Sequence, residues 1–270
     1  MTKNTISFKG LSLNIDTEGD HYGLQFWKSL EEGNWEPDTI DFLARRITPS
    51  TLLMDIGAAN GSICLVGASF GARVVGYEPN PKIFQVCTKN IALNEELKKI
   101  TSLKLAAVSN KKSEIFFSVG SNSNIISNIC VGLDADYVTK IPVVSLAEEL
   151  EINAKLADKI LIKMDIEGAE FAILHDEKTL QALKKHKVVI LLALHPGFYR
   201  PIGPSNHFLH FRRIIFHLRN FLEARAIYKK VSKYAKVYRT NLNPIKNSRI
   251  FALLIIASYY EFILDFSQQD

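Results

Sequence analysis

The hydropathy pattern predicts an α/β protein with a mostly parallel central sheet and an antiparallel C-terminal edge. From Leu52 onward, short apolar runs alternate with segments of helical spacing. A turn with two glycines, Asp55-Ile-Gly57-Ala-Ala-Asn-Gly61, closes the first strong run, and a carboxylate, Glu78, ends the next one. With 270 residues and 47% hydrophobic content the chain can bury a full core, as one large domain with additions at its ends.

Residues 1–45 are expected to form an N-terminal helical or entry segment ahead of a single domain over 46–270. Trp27 and Trp35 flank a polar stretch ending in Glu36-Pro37-Asp38, and a short helix follows over Asp38–Arg46. Strands are then predicted at Leu52–Ile56, Arg73–Tyr77 and Leu103–Val108, with helices at Ser62–Phe70 and Lys82–Leu93 between them. Gly120–Asn128, rich in Asn and Ser, reads as a loop near the site. Alternation resumes with a strand at Lys159–Met164, a helix over Ala169–Leu183 and a strand at Val188–Leu194. His207–Ala226 carries a helical stripe of Phe208, Phe211, Ile215, Leu218 and Leu222 with arginines opposite. Lys236–Thr240, Ile250–Ile256 and Glu261–Phe266 are read as antiparallel strands closing the sheet.

Composition narrows the setting. The N-terminus shows no apolar stretch followed by small residues, so no secretion signal is expected. Cys64, Cys87 and Cys130 are odd in number and widely spaced, which suits neither a disulfide framework nor a zinc cluster and points to the reducing cytoplasm. Ile250–Tyr260 is the most apolar stretch, yet it falls well short of the ~20 residues of a membrane span. Charge is uneven. Residues 196–250 hold twelve Lys/Arg against Glu223 alone, an excess of +11 in a chain of net +5 that leaves −6 elsewhere. That asymmetry suits either a solvated helical face or an anionic partner: nucleic acid, a phospholipid surface or a phosphate-bearing glycan.

The glycine turn speaks to a cofactor. Gly57 and Gly61 are spaced G-x-x-x-G, not the G-x-G-x-x-G that sets a helix start onto a pyrophosphate, which disfavours NAD. Asp55 opens the turn and could face the cationic groups of S-adenosylmethionine. Glu78 sits where a carboxylate accepts both ribose hydroxyls, or it is a helix-entry carboxylate favoured by the dipole.

These residues resemble FkbM-type S-adenosylmethionine-dependent methyltransferases. The matching pieces are Asp55-Ile-Gly-Ala-Ala-Asn-Gly61, Tyr77-Glu-Pro-Asn-Pro81, Asn90-Ile-Ala-Leu-Asn94, Ala106-Ala-Val-Ser109 and, as the most specific, Lys163-Met-Asp-Ile-Glu-Gly-Ala-Glu170. The resemblance spans roughly residues 30–196. It implies a Rossmann-like class I methyltransferase fold, a cofactor site that includes Ala58, Asn60, Pro79 and Ala107, and O-methylation of natural products, sugars or glycolipids. Two positions depart from the family pattern: Leu146-Ala147 stands where Leu-Asp is frequent, and Ala193-Leu-His195 where Glu-x-His is frequent.

For the chemistry, Lys163 and Asp165 alternate at a strand end and so share a face, while His195 ends the next strand. An aliphatic hydroxyl needs a base, and Asp165 and His195 are the candidates, with Lys163 completing the catalytic set. Glu167 is expected to hold the cofactor or order the acceptor pocket, and Glu170 to be a helix-start carboxylate with a structural role. No spacing is diagnostic of a metal and no metal ligand is assigned, although Asp165, Glu167 and His195 leave a divalent ion open. His207, His210 and His217 are read as the polar border of their helix. The expected function is an O-methyltransferase for a sugar, glycan intermediate or other small molecule, with the basic stretch recruiting a phosphate-bearing or lipid-linked acceptor. The alternatives are an RNA methyltransferase and a non-catalytic cofactor-binding module.

Overall fold

The computed structural model describes residues 3–18, 20, 23–119, 137–166, 168–195, 209–257 and 259–268; of 117–119, 137–138 and 209–217 only the backbone is described. The expected loop at Gly120–Asn128, Cys130, Glu167 and His207 lie outside the described residues, as do the side chains of His210 and His217. The chain divides into two compact units, Met1–Lys163 and Met164–Asp270.

The first unit opens on an antiparallel hairpin, β1 (Lys3–Phe8) and β2 (Leu11–Asp16), in the stretch expected to be helical. Lys9 (φ 50°) and Gly10 (φ 84°) form its two-residue turn, with both residues in the left-handed region that matches the twist of paired strands. Ile6, Phe8, Leu13 and Ile15 point inward in alternation. Helices α1 (Gly23–Glu31) and α2 (Pro37–Arg46) follow; α2 has Pro37 in its first turn and Arg45 and Arg46 in its last.

Next come β3 (Thr51–Ile56), α3 (Ser62–Ser69), β4 (Arg73–Glu78), α4 (Pro81–Ala92), α5 (Glu95–Lys98) and β5 (Thr101–Leu105). Strand β4 runs parallel to both β3 and β5. All six residues of β3 are buried, as a parallel strand covered on both faces requires. The single strand expected at Leu103–Val108 is two. β5 joins the main sheet, and β6 (Ala107–Ser109) joins a smaller one with β7 (Ser113–Val119) and β8 (Tyr137–Ser145), in the order β6-β8-β7. α6 (Leu146–Asn153) then leads to β9 (Lys159–Met164), which lies beside β3, so the order in this unit is β9-β3-β4-β5.

In the second unit the helix expected over Ala169–Leu183 is broken in two, α7 (Glu170–His175) and α8 (Glu177–Lys185). Asp176 is extended (φ −87°, ψ 117°), and its carboxylate accepts from the Thr179 amide, which starts the second helix. β10 (Val189–Ala193), α9 (Leu209–Val231), β11 (Lys236–Arg239), α10 (Ser248–Ile256) and β12 (Glu261–Asp265) complete it. β12 pairs antiparallel with β10 and with β11, which is the expected antiparallel edge.

Two expectations are corrected here. Ile250–Ile256 is helical, not a strand: Asn247 caps it by accepting from the Arg249 amide at 2.7 Å, and Phe251, Ala252 and Ile255 bury one side. Of the stripe expected on α9, Phe208 and the side chains of Phe211 and Ile215 lie outside the described residues, and the other two members do not face inward. Ala224, Ile227, Tyr228 and Val231 face inward, while Leu218 and Leu222 are more than half exposed. Among the described residues no helix is long and apolar enough to cross a membrane.

Candidate functional site

The turn after β3 is built by its backbone. Gly57 (φ 92°), Ala59 (φ 48°) and Gly61 (φ 87°) all take left-handed conformations, which glycine adopts without strain and alanine does not. The amides of Gly57 and Ala58 both donate to the Tyr77 carbonyl, at 3.0 and 2.9 Å, which stitches the turn to the end of β4. Ala58 is buried. Gly61 also passes close to α4: a Cβ there would meet the Cys87 Sγ at 3.0 Å.

Glu78 ends β4 at 7% exposure. Its Oε2 accepts from the Ala59 amide at 3.0 Å and its Oε1 from the Asn80 amide at 2.8 Å. A carboxylate has about four acceptor sites in all, the chemistry that hydroxyl donors require. Pro79 follows it, half-buried, and Asn80 caps α4. Ala107, also expected at the cofactor, is half-buried on β6 of the smaller sheet.

Asp55 is 1% exposed and accepts from the Cys64 thiol at 3.2 Å. The Cys64 thiol is pushed well above the ordinary thiol range by its contact with Cys87, then by burial, then by the Asp55 charge. Asn60 is buried and serves the scaffold: its Oδ1 accepts from the Ser62 amide, its Nδ2 donates to Asp20, and its carbonyl accepts from Asn90.

Asp20 and Asn90 are residues that sequence reasoning did not place here. Asp20 also accepts from the Trp27 indole at 2.9 Å. Asn90 on α4 and Asn94, which precedes α5, hold the edge of β2. Asn90 accepts from the Asp16 amide at 2.8 Å, and Asn94 bonds both the amide and the carbonyl of Asn14. Their place in Asn90-Ile-Ala-Leu-Asn94, one of the matching motif pieces, was the available signal.

In the second unit, Asp165 and His195 are brought together, Asp165 Oδ1 standing 3.5 Å from His195 Nδ1. Glu170 Oε1 lies at the same distance from that nitrogen. Glu170 is fully buried, and its carboxylate accepts from the Ile166 amide at 2.9 Å and the Gly168 amide at 2.6 Å. It therefore pins the turn around Gly168 (φ 109°), a structural role beyond the helix-start one expected, and it also faces the imidazole. One donor atom each from Asp165, Glu170 and His195 lie within 4.8 Å of one another. Lys163 is 5% exposed on β9, in the first unit.

Against known families, residues 55–226, more than half of the chain, match the methyltransferase FkbM domain. The chain belongs to the FkbM methyltransferase family. FkbM membership makes it an S-adenosylmethionine-dependent methyltransferase of α/β fold, as the motifs imply. No curated protein matches the chain. Among solved structures, it is similar to TYW2 of P. horikoshii in complex with MeSAdo, at 16% identity over 99% of this chain and 72% of that one, with a TM-score of 0.37. It is also similar to precorrin-6y C5,15-methyltransferase from Geobacter metallireducens GS-15, at 11% identity over 67% of this chain and 70% of that one, with a TM-score of 0.31. A geranyl diphosphate methyltransferase in complex with GPP and sinefungin matches at 9% identity over 87% of this chain and 77% of that one, with a TM-score of 0.39.

Proposed function

We propose that this FkbM methyltransferase transfers a methyl group to a hydroxyl of a sugar, glycan intermediate or other small molecule, phosphate-bearing or lipid-linked, in the cytoplasm. The observation that carries the reading is the Asp165–His195–Glu170 cluster, an imidazole with two carboxylates on one of its nitrogens. In this reading residues 1–45 are the entry segment to a methyltransferase domain over 46–270, with 196–250 as its basic region.

The first unit's residues fit an adenosine-containing donor: a turn in left-handed conformation and a nearly buried carboxylate at the next strand end. S-adenosylmethionine, when bound, supplies a methyl group on a sulfonium and retains the electron pair of the broken C–S bond. Glu78 accepts the ribose hydroxyls, with Gly57, Ala58, Asn60, Gly61, Pro79 and Ala107 shaping the pocket. Asp55 is the carboxylate assigned to the cationic end. His195 takes the proton that the acceptor hydroxyl loses as its oxygen bonds to the methyl carbon. Asp165 and Glu170, each 3.5 Å from Nδ1, stabilise the imidazolium. A positioned base of this kind supplies roughly 10²–10⁴ in rate.

The same cluster favours a second reading. Three oxygen and nitrogen donors within 4.8 Å suit a divalent ion that would acidify the acceptor hydroxyl. Methyl transfer that survives exhaustive chelation excludes the ion and keeps the base.

The deciding experiment is calorimetric titration with S-adenosylhomocysteine and, separately, NAD, followed by an acceptor screen with labelled donor. Binding of S-adenosylhomocysteine with transfer to hydroxyl compounds supports the reading. Binding without transfer to any acceptor pool makes the protein a cofactor-binding module, and transfer only to RNA moves it to another substrate class.

A further inference from the structure

Ten large hydrophobic side chains stand exposed among the described residues, and six of them, Leu218, Leu222, Leu242, Ile250, Leu253 and Ile256, fall between 218 and 256. The same stretch carries nine Lys/Arg against Glu223 alone. The highest density of exposed apolar surface and the highest density of positive charge therefore coincide, in the second unit.

The arrangement on the helices is ordered. On α10, Ile250, Leu253 and Ile256 recur every three residues along one side, 48%, 57% and 37% exposed, while Phe251, Ala252 and Ile255 fill the other side at 2% or less. On α9, Leu218 and Leu222 point outward one turn apart, and Ala224, Ile227 and Val231 point inward. α9 and α10 pack on one another, with the Tyr228 and Phe251 rings 5.6 Å apart. Lys229 on α9, Lys233 just past its end, Lys246 just before α10 and Arg249 in its first turn are all exposed.

An exposed apolar helix side needs a covering partner, and its charge selects which. RNA would engage the cations but gain little from Ile250, Leu253 or Ile256. An anionic bilayer engages both, with lipid phosphates for the Lys and Arg side chains and the acyl boundary for the apolar side. We propose that the α9–α10 face docks on the surface of an anionic phospholipid membrane, lying on it and not crossing it. This goes beyond the methyl-transfer reading and gives it a place of action. It is tested without cofactor or acceptor, so its failure and that of the methyl-transfer reading are separable.

The test is sedimentation of the full chain with vesicles of equal parts phosphatidylcholine and phosphatidylglycerol, against vesicles of phosphatidylcholine alone. Binding to the mixed vesicles about tenfold or more tighter than to the neutral ones is expected, weakening as salt is raised. Ile250→Asp and Leu253→Asp, both at exposed positions and checked for folding by circular dichroism, should each weaken it about tenfold. Ile152→Asp, 60% exposed in the first unit, should leave it unchanged. Absence of binding, equal binding to both vesicles, or wild-type binding by the α10 variants overturns the proposal. So does retention of single-stranded RNA in place of vesicles, unaffected by Leu253→Asp, which would assign the face to nucleic acid.

Discussion

Glu78 and Ala59, nineteen residues apart, are joined by a 3.0 Å hydrogen bond from the Ala59 amide to the Glu78 carboxylate. The residue proposed to grip the ribose thus also fixes the turn that the cofactor would lie against. Glu78→Ala is expected to weaken S-adenosylhomocysteine binding by about 1.5–3 kcal/mol, roughly ten- to hundredfold, because it removes a charged acceptor. Glu78→Gln should lose less, since its carbonyl oxygen still serves one amide. Titration calorimetry on both variants checks this, and unchanged affinity in Glu78→Ala would remove Glu78 from the site.

Gly61 tests the turn from its other end. At φ 87° and with the Cys87 Sγ 3.0 Å from any added Cβ, Gly61→Ala should cost about 1–3 kcal/mol of stability. Gly71→Ala, at φ 94° with nothing within 4 Å, carries the conformational penalty without the contact. Urea denaturation should rank Gly61→Ala below Gly71→Ala, and the reverse order would mean that Cys87 yields freely.

His195 and Glu170 separate chemistry from binding. His195→Ala is expected to lower kcat by about 10²–10⁴ while leaving S-adenosylhomocysteine affinity as it was. Glu170→Gln should lower kcat less and also lower thermal stability, because one of its two amide partners loses an acceptor. Equal losses of kcat and cofactor affinity in His195→Ala would place the imidazole at the cofactor and not at the acceptor.

Alkaline pH should destabilise the fold through two buried acids. Burial first, and then the hydrogen bond to Glu149, push the Tyr77 hydroxyl far above the ordinary phenol range, and Cys64 is likewise raised. Both stay protonated in the fold, whereas the unfolded chain releases its protons at ordinary values. The unfolded state then binds fewer protons, so this stability is intact below the ordinary thiol value and falls as pH rises through it. Each group contributes a slope of about 1.4 kcal/mol per pH unit once past its unfolded value. Urea midpoints measured from about pH 7.5 to 10.5 should decline first with the thiol and then more steeply, and Tyr77→Phe should flatten the second stage.

What was legible in the sequence was what depends on local spacing. The turn between β3 and α3, the carboxylate ending β4 and the antiparallel edge follow from glycines, alternation and run length. The Asp165–His195 approach was legible because both residues end strands. Hairpin β1–β2 was hidden because only Ile6, Phe8, Leu13 and Ile15 face inward, too sparse an alternation to stand out. α10 was hidden for the opposite reason: a run that is apolar on every side has no periodicity, and only the Asn247 cap betrays it. Glu170 was read as a helix-start carboxylate because its sequence neighbours explain it fully; its second contact comes from a residue twenty-five positions away.

Asn90 reaches in two directions from one side chain, accepting from Asp16 in the hairpin and donating to the Asn60 carbonyl in the glycine turn. Hairpin docking and turn rigidity therefore share one free-energy term, and linkage makes the exchange mutual: whatever orders the turn must also tighten the hairpin, by the same factor. The hairpin thus acts as a remote reporter of the turn, and the hydrogen-exchange rates of its amides would register whatever orders it.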